Sequence, residues 1–127
     1  MDENEIARII VDCAYKVHST LGPGLFETVY ERALAYELEQ RGLRAESQVV
    51  LPVRYGAMTF EEGYRVDLMV SDRVIVELKS VEAVTDAHRK QLLTYLRLAD
   101  KRLGLLVNFG VARIKDGISR IANGMPT

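Results

Sequence analysis

An α/β fold built on a mixed sheet is predicted by three observations on this sequence. Two N-terminal stretches repeat apolar residues at helical spacing, three central stretches are Val-rich or alternate in polarity, and a further helical stretch is followed by a short continuous apolar run.

Ile6, Ile9, Ile10, Cys13, Val17 and Leu21 recur at three- and four-residue steps, which predicts an amphipathic helix from Asp2 to about Leu21. Asp2 with Glu5 reads as a capping box, and Gly22-Pro23-Gly24 stops the helix. A second helix runs from near Phe26 to about Arg41, with Phe26, Val29, Tyr30, Ala33, Leu34 and Leu38 on one face and Gly42 as its stop. The period then changes. Residues 47–55 form a strand in which Pro52 points to an edge position or an irregularity, because proline has no N–H for a ladder. YRVDLMV (64–70) and VIVELKS (74–80) form a hairpin across Ser71-Asp72-Arg73. A third helix, capped by Asp86, runs to about Ala99. LGLLVNFG (103–110) reads as a buried strand, and SRIAN near the end as a further edge strand. The order is α-α-β-β-β-α-β with one more strand at the edge.

The 127 residues, 48% hydrophobic and 28% charged, fit one domain over 1–127. With 17 Lys+Arg against 18 Asp+Glu there is no general basic coat, so a polyanion site has to be local. Residues 1–50 carry 9 acids and 5 bases, and residues 85–127 carry 8 bases and 3 acids, which puts the cationic surface in the C-terminal third. There Arg89, Lys90, Arg97, Lys101 and Arg102 are candidates for phosphate contacts. Cys13 is the only cysteine, which excludes an intrachain disulfide and a thiolate metal cluster. The acidic MDENE start and the lack of an apolar run near the roughly 20 residues that span a bilayer point to a cytoplasmic protein with no membrane segment.

The hairpin holds the chemistry. Asp67 lies in one strand, and Glu77 and Lys79, two apart, share a face of the next. One reading is an internal salt bridge among the three. The other is a divalent-cation site, in which Asp67 and Glu77 offer hard oxygens to Mg²⁺ or Mn²⁺, the Leu78 backbone carbonyl offers another, and Lys79 stabilises charge on a phosphate. Gln91 and Tyr95, four apart, share a face of the third helix, where they support the site or the substrate or simply pack. Glu27 and Tyr30 share a face of the second helix, Glu27 as a further catalytic candidate and Tyr30 as support for the site or the substrate, although Glu27 there also suits the helix dipole. His18 stands near the end of the first.

The stretch HSTLGPGLFETVYERAL, with Gly24, Glu27 and Tyr30 in place, resembles the signature of the GxxExxY protein family. YRVDLMV, VIVELKS and QLLTYL resemble the core of the PD-(D/E)XK nuclease superfamily. The resemblance spans nearly the whole chain, and its pattern falls in order on Glu27, Asp67, Glu77, Lys79, Gln91 and Tyr95. It implies a restriction-endonuclease-like core, a central mixed sheet flanked by helices with Asp67, Glu77 and Lys79 at one edge of a cleft. It also implies a Mg²⁺- or Mn²⁺-dependent nuclease, with DNA favoured over RNA as substrate. Glu27 matches an early acidic ligand, and His18 matches the early-helix histidine of RecB-type nucleases; the resemblance leaves open which of them completes the metal shell. A non-catalytic nucleic-acid- or protein-binding module on the same fold is the alternative, and the small size suits a homodimer or a protein partner.

Overall fold

The structure, a computed structural model, describes residues 1–125. Helix α1 (Glu3–Leu21) opens on the anticipated capping box: Asp2 Oδ1 accepts from the Glu5 amide at 2.8 Å, and Glu5 Oε1 accepts from the Asp2 amide at 3.4 Å. It ends at Gly22, whose φ of 71° suits glycine and whose amide donates to the His18 carbonyl at 2.8 Å. Helix α2 (Glu27–Gln40) stops where Gly42 turns left-handed and the Leu43 amide closes back onto the Leu38 carbonyl. Phe26 and Val29, assigned from the sequence to its apolar face, are instead exposed.

Strands β1 (Ala45–Tyr55), β2 (Met58–Val70), β3 (Val74–Lys79), β4 (Leu103–Asn108) and β5 (Ile118–Ala122) form one five-stranded sheet in the order β1-β2-β3-β4-β5. The β3–β4 pair is parallel, with helix α3 (Asp86–Ala99) in the crossover, and the other pairs are antiparallel, so the sheet is mixed. The outer place of β1 suits Pro52, which sits where the β1–β2 register shifts. The sheet departs from the sequence reading in one respect: β2 begins at Met58, six residues earlier than expected, and makes a long hairpin with β1 across Gly56-Ala57. The stretch MTFEEG lacks the apolar alternation of a half-buried strand because all six of its residues are exposed. Helix α3 is capped by Thr85 in a box with His88, and Asp86 is its first residue rather than its cap.

Two apolar clusters cover the two faces of the sheet. On one, Ile6, Ile10, Val17, Tyr30, Leu34 and Leu38 of α1 and α2 pack on Leu68, Val70, Val76, Leu78 and Leu105. On the other, Leu92 and Leu96 of α3 pack on Val66, Met69, Ile75 and Leu106. This is an α/β architecture consistent with a restriction-endonuclease-like fold.

Candidate functional site

Regular alternation would put Val66 and Leu68 on the same face, yet Val66 belongs to the α3 cluster and Leu68 to the α1–α2 cluster. The phase slips at Asp67, the point where β2 leaves β3: the ladder pairs Val70 with Val74, Met69 with Ile75 and Leu68 with Val76, and goes no further. Side chains replace the missing rungs. The Asp67 amide donates to Glu77 Oε2 at 2.7 Å, and the Leu78 amide donates to Asp67 Oδ2 at 2.9 Å. On β1, the register places Gln48 opposite Asp67. Gln48 has a φ of 52°, and it is the one non-glycine residue of positive φ among the described residues that lies inside a strand. Such backbone costs on the order of 1–2 kcal/mol and tends to gather at functional sites. The Gln48 amide group donates to Glu31 Oε1 and, at 3.3 Å, to Asp67 Oδ1.

Three carboxylates thus meet through short polar links. Glu77 is 6% exposed, and its carboxyl is pushed up to about 7, first by burial and then by the negative charge of Asp67; the Asp67 amide and Lys79 pull the other way. Glu31, 8% exposed, is also raised, by burial and then by Asp67, against the opposing hydrogen bond from Gln48. Burial, and then the charges of Glu77 and Asp67, raise the Tyr95 phenol. Its ring stacks on Tyr64 with centroids 4.8 Å apart.

Among the described residues, no ion pair within 4 Å involves Asp67, Glu77, Glu31 or Lys79. The internal salt bridge weighed from the sequence is therefore absent, and backbone amides hold the acids instead. Lys79 is half-buried at the end of β3, and its charge reaches Glu77. Its carbonyl accepts from the Phe109 amide on the β4 side, so the alternation of an extended strand turns the Leu78 amide and carbonyl toward β2.

The other sequence candidates lie as follows. Glu27, exposed at the start of α2, accepts from the Ser80 amide at 3.3 Å and lines a cleft of about 470 Å³ together with Thr28, Glu31, Arg32, Gln48, Arg65 and Asp67. Gln91 is exposed one turn before Tyr95 on α3. Tyr30 is not brought to the acids: it is fully buried and stacks on Phe109 at 4.5 Å, while its hydroxyl donates to the Gly22 carbonyl and accepts from the Leu25 amide. The Nε2 of His18 lies 2.9 Å from the Val111 carbonyl, beside a separate hollow with Tyr15, Arg113 and Lys115, and shares no hydrogen bond with the acids. Of the C-terminal bases, Arg89 pairs with Asp86, Lys101 with Asp72, and Arg102 donates to the Gly124 carbonyl. The cations in the carboxylate cleft are Arg32 and Arg65.

Sequence reading missed Glu31, Gln48 and these two arginines. Glu31 carried a usable signal, since it lies one helical turn after Glu27 among Tyr30 and Leu34. Gln48 carried none, because its role rests on a backbone kink and on register.

Among the described residues, no group of three or more His, Cys, Asp or Glu side chains is gathered as a ready metal cage. The donor set still fits a hard cation: a buried carboxylate, a half-buried one and a carbonyl turned toward β2 suit Mg²⁺ or Mn²⁺, which take one or two carboxylates and keep several waters.

The sequence description of the PD-(D/E)XK nuclease superfamily matches residues 4–121. A crystal structure of a protein designated SSO0001 is similar to this chain with a TM-score of 0.59 at 21% identity, covering 98% of this chain and 60% of that one. At that identity the likeness shows the fold, and the chain spans about three fifths of the length of its structural counterpart. No curated protein matches the chain.

Proposed function

The chain belongs to the PD-(D/E)XK nuclease superfamily, and on that premise we propose that it is a divalent-metal-dependent nuclease that hydrolyses phosphodiester bonds, in DNA rather than RNA, as one domain. The observation that carries this reading is the crowded negative charge where β2 leaves β3: Glu77 is buried against Asp67, raised to about 7, and among the described residues has no basic partner within 4 Å. Buried charge without a partner is costly, and a site that tolerates it has a use for it.

In this reading Asp67 and Glu77, with the Leu78 carbonyl, hold Mg²⁺ or Mn²⁺, and Glu31 and Gln48 fix the Asp67 carboxylate. When bound, such a cation neutralises charge on the phosphoryl group and lowers the pKa of a bound water. Lys79 supplies the chain's own donor at the scissile phosphate and orients the attacking water. Tyr95, a phenol and so a hydrogen-bond donor at neutral pH, serves at the rim with Gln91 nearby. Arg32 and Arg65 in the same cleft neutralise flanking phosphates. Glu27 ties the start of α2 to Ser80 and so sets the cleft wall.

The test is incubation of the purified protein with labelled single- and double-stranded DNA and RNA in Mn²⁺, Mg²⁺ or EDTA, beside identically prepared Lys79→Ala. Cleavage that requires both metal and Lys79 is the expected result. If the wild type cleaves nothing but still binds Mn²⁺ by calorimetry, the chain is a binding module instead.

A further inference from the structure

Phe26 breaks two local rules at once. It is 83% exposed, the highest value of any large apolar side chain among the described residues. It also occupies the N-cap of α2 with no side-chain hydrogen bond, where Ser, Thr, Asp or Asn would satisfy a free helix amide. A lone exposed aromatic is ordinary. One on a rigid loop beside a charged cleft is a different case.

The loop is rigid because four hydrogen bonds hold it. Tyr30 Oη bridges the Gly22 carbonyl and the Leu25 amide, Ser80 Oγ donates to the Leu25 carbonyl at 2.9 Å, and the Ser80 amide donates to Glu27 Oε2 at 3.3 Å. Two of these come from Ser80, the residue that follows Lys79. Leu25, Phe26, Glu27, Thr28 and Ser80 line a hollow of about 430 Å³, and it shares Glu27 and Thr28 with the cleft that contains Asp67, Glu31, Arg32 and Arg65. An apolar aromatic shelf therefore runs directly into a polar cleft that carries two arginines.

A ligand that satisfies both halves has a flat apolar face joined to a phosphate, which is a nucleotide. In an intact duplex the base faces are stacked on one another and are not available to a side chain. Resting on the nuclease reading above, we propose that Phe26 is a base-stacking residue that receives an unpaired nucleobase next to the scissile phosphate, so that the substrate is single-stranded DNA or a frayed end rather than an intact duplex. The hydrogen bonds on either side of Phe26 anchor the backbone that carries the ring, which spares the ordering cost that a mobile loop would add.

The experiment measures binding of fluorescein-labelled oligo(dT) and of a mixed-sequence duplex by anisotropy in Ca²⁺ buffer, with cleavage in Mn²⁺ followed alongside, for wild type, Phe26→Ala and Phe26→Trp. The chain has no tryptophan, so F26W adds a sole reporter. The expected result is tighter binding of the single strand than of the duplex and a roughly tenfold loss for F26A on the single strand alone, as stacking on one base predicts. F26W should keep the affinity, with its emission quenched by oligo(dT). Because the side chain is exposed, the melting temperature of F26A should match that of the wild type. Metal-dependent cleavage that persists while F26A binds both nucleic acids like wild type, or while F26W emission ignores a bound oligonucleotide, overturns the stacking role and leaves the nuclease reading standing. A wild type that neither binds nor cleaves any nucleic acid overturns that reading, and this inference with it.

Discussion

Asp67 and Glu77 each complete the other's strand: the Asp67 amide donates to Glu77 Oε2 at 2.7 Å, and Asp67 Oδ2 accepts from the Leu78 amide at 2.9 Å. These bonds stand where the β2–β3 ladder has stopped, so the same two carboxylates close the sheet and create its one strongly crowded charge. The tests below separate those two roles.

The crowding sets a pH dependence of stability. A carboxyl raised from its ordinary value to about 7 holds more protons folded than unfolded, so stability falls as pH rises from about 4.5 to 7 and is flat above. Glu77→Gln keeps an oxygen for the Asp67 amide and removes the charge. In metal-free urea melts at pH 8 it should be more stable than wild type by on the order of 1–3 kcal/mol, and the gap should close by pH 5. An equal difference at both pH values would show that Glu77 is not strained by its charge.

If Asp67 and Glu77 hold the cation as proposed, proton and cation compete for the same carboxylates. Mn²⁺ affinity, measured by calorimetry from pH 5.5 to 8.5, should therefore rise with pH up to about 7 and then level off. An affinity that does not change across that range would place the metal elsewhere.

In the proposed mechanism Lys79 acts on the substrate rather than the cation. Lys79→Ala should lower metal-dependent cleavage by about 10²-fold or more while Mn²⁺ binds as tightly as in wild type or tighter, since a nearby positive charge has gone. Loss of metal binding in this variant would contradict the assignment.

Glu31 and Glu27 are one helical turn apart and unequal. Glu31 is buried and linked through Gln48 to Asp67, whereas Glu27 is exposed and caps Ser80. Glu31→Gln should weaken Mn²⁺ affinity or cleavage by about 10- to 100-fold, as loss of a group that positions a ligand does. Glu27→Gln should cost only a few-fold. The reverse order would return the early acidic role to Glu27.

Tyr30 is structural in its contacts. Tyr30→Phe keeps the stack on Phe109 but strips a partner from the Leu25 amide and the Gly22 carbonyl. It should lower stability by about 1–2 kcal/mol, read by thermal melting, with Mn²⁺ affinity intact. Unchanged melting would mean that water takes over both bonds without cost.

Most of the element order was legible because it rests on short-range periodicity. The stripe from Ile6 to Val17, the stops at Gly22 and Gly42, the edge place of Pro52 and the buried run from Leu103 each follow from side-chain spacing or from the backbone limits of one residue. The start of β2 was not legible, because exposed strand residues such as Glu61 and Glu62 carry no apolar alternation. At the site, Asp67, Glu77 and Lys79 stood out as charges in apolar strands, which one-dimensional pattern reveals. Only the tertiary structure decided how they are held, that Glu31 as well as Glu27 lines the cleft with Asp67, and that Gln48 joins Glu31 to Asp67. Those facts depend on the strand register that sets Gln48 across from Asp67 and on the phase slip at Asp67. They depend as well on which face of α2 lies over that gap, and no spacing along a single chain encodes a distance between two elements.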